Sequence, residues 1–349
     1  MAEITVQDQG DAGRPDTCEA RSMDLAVGGQ ALIEGVMMRS PSYLAMAVRT
    51  PDGRIVIRKK IFNSIVRRLK FLNIPVLRGG VHLIETMGLG IDALMFSADQ
   101  AISEDRVEGK KASFKETLMM WGTVAFSFAL SLALFFYLPI YLTDLVVAES
   151  EGSLVWNMVD GLIRVLMFVL YLFAVSRFPD MARVFEYHGA EHKSIHAFEN
   201  GRPLNAGGAR DYTTLHPRCG TSFLFFVMII SIVVFSFLGR PEDLPDRLQR
   251  LAFVPLIGGL AYEAIKLSGK FGKAWFLKPV IFPGLMLQKI TTSEPDDDQL
   301  TVAMAALKAV LTPEGDDFKE RVYYDLPDDD ENMDEGTEDG QAAGEGVPA

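Results

Sequence analysis

The feature that most limits the fold is a run of 25 uncharged, mostly apolar residues at positions 118–142. A second clear run occupies 219–239, and two weaker runs, interrupted by charges, occupy 154–178 and 251–267. A helix that crosses a bilayer needs roughly 20 such residues. The sequence therefore predicts a polytopic membrane protein, mainly α-helical, with about four transmembrane helices in contact with the lipid bilayer.

The charges in the loops predict how these helices are oriented. The first loop, TDLVVAESEGS, has three acidic residues and neither Lys nor Arg. The second loop carries these basic residues: Arg183, Lys193, Arg202, Arg210 and Arg218. Because Lys and Arg concentrate in cytoplasmic loops, we expect a multi-pass protein of the cytoplasmic (inner) membrane. Both termini and the second loop would then lie in the cytosol.

The two ends of the chain have compositions typical of disorder. Residues 1–23 are polar and lack the apolar core of a signal peptide. Residues 313–349 are rich in Asp, Glu and Gly and supply much of the acidic excess behind the net charge of −12. We predict a disordered leader and a disordered acidic tail.

The segments between these ends and the apolar runs predict a small cytosolic part. Residues 24–64 predict a β-rich portion, because alternating runs flank the hairpin signal Pro51-Asp52-Gly53. Residues 65–116 predict membrane-associated helices that are too charged for a clear span. Residues 117–290 form the predicted transmembrane region, and 291–312 predict an amphipathic cytosolic helix.

The motif YHGAEHKSIHAFENG lies between the second and third apolar runs. A helix predicted over 180–200 places these side chains on or beside one face: His188, Glu191, His192, His196 and Glu199. His-x-x-Glu-His is the inverted zincin signature, in which two histidines hold the metal and the glutamate polarises its water. The alternative is an amphipathic surface helix whose His and Glu side chains pair one turn apart.

His216 and Cys219, in LHPRCGTS, extend the set of candidate ligands. A structural site would be closed by four protein ligands: His188, His192, His216 and Cys219. A catalytic site would keep three ligands and a water. Its third ligand would be Glu263, a carboxylate in the fourth apolar run, or Glu199. We predict a divalent metal as the cofactor, with zinc the ion that these donors favour, and Glu191 as the general base.

Four motifs resemble a known family. GGQALIEGVMMRSP, YHGAEHKSIHAFENG, LHPRCGTSF and PGLMLQKITTSEPDDDQLTVAMAAL occur in this order and are similar to the YqhQ-like family of bacterial membrane proteins, over roughly residues 25–310. That family is largely uncharacterised and is described as predicted metal-dependent enzymes, so the resemblance implies a class and no substrate. It highlights these positions: Gln30, Glu34, His188, Glu191, His192, His216, Cys219 and Glu263.

The function that we expect is metal-dependent hydrolysis of a peptide or a lipid-linked bond at the cytoplasmic membrane surface. One alternative is a non-enzymatic membrane scaffold with a structural metal. Another is a small transporter, suggested by Glu263 and Lys266 and by the prolines at 279 and 283. The sequence shows no interleaving of basic and aromatic residues, so no nucleic-acid partner is expected.

Overall fold

The computed structural model of the protein describes residues 27–102, 114–148, 150–271, 278–311 and 321–323. The predicted leader, 1–23, lies outside the described residues, as does the predicted acidic tail apart from Arg321–Tyr323. The described chain is mainly helical with one small antiparallel sheet, which confirms the predicted fold class.

The sheet is formed by four consecutive strands: β1 (Gly28–Leu32), β2 (Gly35–Arg39), β3 (Tyr43–Arg49) and β4 (Ile55–Ile61). The predicted hairpin joins β3 to β4, with Gly53 at φ 87°, a conformation that favours glycine. A short strand, β5 (Arg321–Tyr323), pairs with the outer edge of β4. These three residues fall within the predicted acidic tail, and they pair there because the free edge of β4 offers backbone hydrogen-bond partners.

Twelve helices follow in the described residues: α1 (Ile65–Arg68), α2 (Leu77–Ile102), α3 (Phe114–Leu132), α4 (Leu138–Val146), α5 (Ser153–Val175), α6 (Pro179–Glu199), α7 (Ala206–Arg210), α8 (Gly220–Leu238), α9 (Leu244–Ala252), α10 (Val254–Phe271), α11 (Lys278–Thr291) and α12 (Asp297–Leu311). A π-helical turn, Ala133–Tyr137, joins α3 to α4 so that they form one continuous rod. A 3₁₀ turn, Lys70–Leu72, precedes α2.

Four helical segments are long and apolar enough to cross a membrane: Leu77–Ala101, Trp121–Val146, Ser153–Val175 and Gly220–Leu238. The last three coincide with the predicted spans at 118–142, 154–178 and 219–239. The first lies in α2, where the sequence predicts a membrane-associated helix. The fourth predicted span forms α10, but that helix is not in this set because its 18 residues include one Glu and two Lys.

The charges within the second apolar run are paired. Asp160 and Arg164, one turn apart on α5, form an ion pair at 3.0 Å. Nη1 of Arg164 also donates to the carbonyl oxygen of Phe135 at 3.0 Å. Phe135 lies in the π-helical turn, where the altered hydrogen-bond register leaves a carbonyl available to a side chain. These contacts compensate for charges that would be costly among apolar surroundings.

Helices cover both faces of the sheet. α6 and α12 pack on one face, where Val36, Tyr187 and Leu300 share a buried cluster. α2 packs on the other face through Ala93 and Phe96. The histidine helix is thus an interior helix, with ten buried residues. It is not the amphipathic surface helix of the alternative interpretation, since the sheet and α12 together exclude water from most of it.

Candidate metal centre

Four imidazole rings form a row along α6, with His192 and His216 buried and His188 and His196 partly buried. The ring centroids of His188 and His192 are 4.5 Å apart. His216, from the loop before α8, lies 5.7 Å from His192 and 4.7 Å from His196. The helix keeps its three histidines in line because they follow one another every four residues, about one turn. Pro179 pre-sets the first turn of α6, and Gly201 at φ 62° ends it.

Three metal-binding groups meet at one end of this row. The ligand atoms of His188, His192 and Cys219 all lie within 4.8 Å of one another. Nε2 of His188 is 3.2 Å from Sγ of Cys219. Imidazole nitrogen and thiolate sulfur are both ligands that zinc accepts. The fold therefore brings together three of the seven residues that the sequence predicts as ligands.

Backbone carbonyls hold both imidazoles in the orientation that a metal requires. Nδ1 of His188 donates to the carbonyl oxygen of Thr291 at 2.8 Å, and Nδ1 of His192 donates to the carbonyl oxygen of Thr214. Because a carbonyl oxygen only accepts, each Nδ1 carries the proton and each Nε2 has a free lone pair. Metal-binding histidines are commonly oriented in this way. Nε2 of His192 is buried without a hydrogen-bond partner among the described residues.

Cys219 occupies the N-cap of α8. Its Sγ contacts the backbone nitrogen of Thr221 at 3.4 Å and the hydroxyl of the same residue at 3.2 Å. The cap fixes the position of this sulfur beside His188, and a cysteine sulfur binds a metal ion as the thiolate. Since α8 is one of the four apolar segments, the donor group lies at the end of a helix long enough to cross a membrane.

Burial sets the ionisation of the groups around these donors. It lowers the pKa of His192 below its usual value. The Cys219 thiol opposes this shift electrostatically, although it is not in good hydrogen-bond geometry with Nε2. The ring therefore favours the neutral form, which is the form that coordinates metal. Burial also raises the pKa of Glu191 to about 7, although His188 and the N–H of Gly29 act in the opposite direction.

A second group is formed by His196, Glu199 and His216, whose ligand atoms also lie within 4.8 Å of one another. Nε2 of His216 is, like that of His192, buried without a hydrogen-bond partner among the described residues, but the other two members are engaged. Glu199 forms an ion pair with Arg218 and lies 3.5 Å from Nε2 of His216. Nδ1 of His216 accepts from the N–H of Arg218 at 3.3 Å, so its proton is on Nε2, facing Glu199. His196 uses its Nε2 to donate to the carbonyl of Leu215. This group therefore fits a metal less well than the first.

Glu191 lies beside the first donor group but faces the sheet. Its carboxylate accepts from the N–H of Gly29 on β1 and is close enough to His188 to affect its own ionisation. Only glycine fits at position 29, because a Cβ there would be 2.4 Å from the carbonyl oxygen of Met37 and 3.0 Å from the Glu191 carboxylate. β1 thus supports the predicted general base, and the glycine at position 29 permits this close approach.

Glu263 is not among the donors, and this corrects the expectation that it completes the site. Nε and Nη2 of Arg78, on α2, donate to its two carboxylate oxygens at 2.6 and 2.5 Å. The pair sits where α2 crosses α10 so closely that a Cβ at Gly79 would be 2.8 Å from the carbonyl oxygen of Gly259. The carboxylate is thus held by a guanidinium at both oxygens, and neither group of possible metal ligands among the described residues includes it.

The two polar residues of the first motif have structural partners. Glu34, at φ 53° in the tight β1–β2 turn, forms an ion pair with Arg183 and accepts from the hydroxyl of Tyr187 at 3.2 Å. Gln30 lies against Gly90 of α2, where a Cβ would be 2.6 Å from its amide oxygen. Both residues attach the sheet to a helix.

Three residues support the centre although their type does not suggest a role at a metal site: Thr214, Thr291 and Gln288. Thr214 and Thr291 act through their carbonyls, which every residue has. Gln288, fully buried, bonds to the loop that carries Cys219. The available signal was that Gln288 and Thr291 belong to the motif PGLMLQKITTSE, which the resemblance had singled out without giving it a role.

The apolar helices and the buried His–Cys group define the class: a multi-span membrane protein with a candidate metal centre. Residues 74–313 match the family described as "Protein of unknown function (DUF1385)", and the chain belongs to this family. It is also 30% identical, over 297 residues, to the uncharacterized protein YqhQ of Bacillus subtilis (strain 168). That alignment covers 82% of this chain and 92% of the relative. No solved structure matches the chain. The predicted resemblance is confirmed, and neither match carries a named activity.

Proposed function

We propose that the protein binds one divalent metal ion, preferably zinc, through Nε2 of His188, Nε2 of His192 and Sγ of Cys219. The observation that carries the proposal is the orientation of the two imidazoles. Each donates from Nδ1 to a backbone carbonyl and turns its lone pair toward the same thiol. A buried Nε2 on His192 without a partner is costly unless an ion or another group binds it.

We further propose that the centre is catalytic and supports hydrolysis. The ion would supply Lewis acidity and lower the pKa of a water to about 7. Three protein donors, rather than four, leave room for that water. Glu191 is a buried carboxylate that interacts electrostatically with His188, and its role would be to take the proton of the attacking water. The N–H of Gly29 would keep this carboxylate in place.

The position of the centre supports a substrate held near the bilayer. Cys219 caps α8, and the carbonyl that orients His188 belongs to the last residue of α11, which packs against α8. A bond in a lipid-linked molecule, or in a peptide close to the membrane surface, would reach such a centre without leaving the interface. We propose this substrate class for the hydrolytic function.

The topology that we propose follows from the shared core of the sheet, α6 and α12. Because these elements pack together, an even number of crossings must separate each from the next along the chain. Between the sheet and α6 there are three apolar segments, so one of them does not cross. α2 is the one, since its second half packs on the sheet. Between α6 and α12, α8 crosses the membrane, so α10 must cross it in the opposite direction to bring α12 back to the side of α6.

This count gives four crossings: the α3–α4 rod, α5, α8 and α10. They are the four spans that the sequence predicts, although α10 is the least apolar of them. The basic residues of the second loop would then place the sheet, α6 and the metal centre on the cytoplasmic side. A location in the cytoplasmic membrane, with the described ends of the chain in the cytosol, is part of the same proposal.

Metal analysis of purified protein tests the proposal. We expect about one zinc per chain after purification, and loss of that zinc in His188→Ala and His192→Ala. Glu191→Gln should retain zinc and lose hydrolysis of lipid-linked or peptide test substrates. Wild-type protein that takes up no divalent ion would refute the metal centre. Zinc loss in Glu191→Gln would make Glu191 a ligand and remove it from the role of base.

A second candidate function, a scaffold with a structural metal, is favoured by the depth of the site. His192 is 1% and Cys219 is 7% exposed, and an ion there would fasten α6 to the start of α8. Exchange of a bound water distinguishes the two, because a fully protein-coordinated ion has none. The transporter hypothesis loses one of its main supports, since Glu263 is paired with Arg78.

A further inference from the structure

The buried amide of Gln288 bonds to both sides of the loop that carries Cys219. Its Oε1 accepts from the N–H of His216 at 2.8 Å, and its Nε2 donates to the carbonyl oxygen of the same residue at 2.8 Å. Nε2 also donates to the hydroxyl of Ser222 at 3.2 Å. His216 and Ser222 lie three residues before and three residues after Cys219, so one side chain holds both flanks of the thiol.

These hydrogen bonds of Gln288 fix the conformation of the loop backbone. The carbonyl oxygen of His216 accepts from the N–H of Cys219 at 3.3 Å, and the carbonyl oxygen of Cys219 accepts from the N–H of Ser222 at 3.1 Å. Fixing the ends of these two turns fixes the thiol between them. Gln288 is 0% exposed, and the adjacent Gly284 allows α11 to approach Ser222, since a Cβ there would lie 2.7 Å from the Ser222 hydroxyl.

The end of α11 also supports the other two donors. The carbonyl oxygen of Thr291 orients His188, and the hydroxyl of Thr292 is 3.3 Å from that of Thr214, whose carbonyl orients His192. One segment, Gln288–Thr292, thus supports all three proposed ligands, either by direct contact or through a residue that holds the ligand in place. Its contacts with the imidazoles use backbone atoms or act through Thr214. Its contact with the Cys219 loop depends on one side-chain amide.

We propose that Gln288 is the positioning residue of the metal centre: it holds the His216–Ser222 loop so that the Cys219 thiolate reaches the ion. This inference rests on the proposed metal function. The amide is needed because it presents one acceptor and one donor side by side, matching the N–H and the carbonyl of His216. No other side chain of similar size does this, and a carboxylate there would face the carbonyl of His216 without a proton to share.

Cobalt substitution tests the role directly, because Co²⁺ bound to a thiolate gives a charge-transfer band that imidazole ligands do not give. Wild-type protein in detergent should bind Co²⁺ and show both this band and the visible d–d bands. Gln288→Glu keeps the shape and the acceptor and, when measured at a pH at which the new carboxyl is ionised, loses the donor. It should retain the d–d bands of a histidine-bound ion, lose most of the thiolate band, and bind Co²⁺ about 10- to 100-fold more weakly.

The matched control is Gln299→Glu on α12. Gln299 is also a buried glutamine, at 1% exposure, but it bonds to the N–H of Asp296 and to Glu186 rather than to the Cys219 loop. Gln299→Glu should destabilise the fold at least as much as Gln288→Glu, because its new carboxylate faces Glu186, whereas the thiolate band should change only in Gln288→Glu. Ser222→Ala, which removes a single 3.2 Å contact, is the milder variant if Gln288→Glu does not fold.

The outcomes separate this inference from the function on which it rests. Wild-type protein without a thiolate band would refute the proposed ligand set itself. A normal wild-type band together with an unchanged band and affinity in folded Gln288→Glu would refute only the role of Gln288. In Ser222→Ala we expect Co²⁺ affinity to fall about 2- to 10-fold, the range of one hydrogen bond. Unchanged affinity there would likewise overturn the positioning role.

Discussion

Gly189→Ala is expected to weaken metal binding without touching a ligand. Gly189 follows His188 on α6 and faces the segment after α11, where an added Cβ would lie 2.0 Å from the carbonyl oxygen of Ser293. Ordinary contact begins at 3.4 Å, so the segment must retreat by about 1.4 Å. Thr291, two residues earlier, would move with it, and its 2.8 Å bond to His188 would lengthen beyond hydrogen-bonding range.

The magnitudes follow from two opposing effects. Overpacking of this kind costs about 1–3 kcal/mol, while replacing a helical glycine by alanine gains about 0.5–1 kcal/mol. We therefore expect the free energy of unfolding to fall by up to about 2.5 kcal/mol, which leaves a folded protein. Loss of an outer partner of a ligand histidine should lower zinc affinity about 10- to 100-fold.

The assay combines thermal unfolding in detergent with competition against a chromophoric zinc chelator. Gly88→Ala on α2 is the matched control, because, among the described residues outside its own helix turn, nothing lies within 4 Å of a Cβ at that glycine. It should stabilise the protein slightly and leave zinc affinity unchanged. If Gly189→Ala folds normally and binds zinc as tightly as the wild type, the carbonyl of Thr291 does not orient His188 in the way described.

Two further predictions concern the membrane part. In thermal unfolding, Glu263→Gln and Arg78→Gln should each destabilise the protein, because each single change leaves an unpaired partner where α2 meets α10. The double variant should be destabilised by less than the sum of the two single effects. Additive effects would contradict this pairing. Single cysteines in a background without native thiols test the topology by labelling from each side of the membrane. Ala101→Cys should label from the same side as Thr213→Cys and from the side opposite to Ser153→Cys, and a label on Ala101→Cys from the Ser153 side would show that α2 crosses.

Local patterns predict much of this fold. The apolar runs mark helices because the length of an uncharged segment is a property of consecutive residues. The helix over 180–200 and its histidine face follow from a period of 3.6 residues, and the strands around Pro51–Gly53 follow from alternation and turn chemistry. The structure confirms these elements, with α6 at Pro179–Glu199 and the hairpin between β3 and β4.

The sequence does not predict which distant group each candidate residue contacts. Glu263 is a good carboxylate ligand by type, but its pairing depends on Arg78, which is 185 residues earlier in the chain. Cys219 was one of several candidates until the cap of α8 placed its thiol beside His188. The carbonyls of Thr214 and Thr291 are invisible to any argument from residue type. Contacts of this kind are fixed by tertiary packing, which no local pattern encodes.

The ligands of the ion itself test the central claim most directly. X-ray absorption at the zinc edge of purified, zinc-loaded protein should show one sulfur at about 2.3 Å and two imidazole nitrogens at about 2.0–2.1 Å, with a light-atom ligand completing four. In Cys219→Ser the sulfur shell should disappear while the imidazole signal remains. A zinc shell without sulfur in the wild type, or without imidazole, would contradict a centre built from His188, His192 and Cys219.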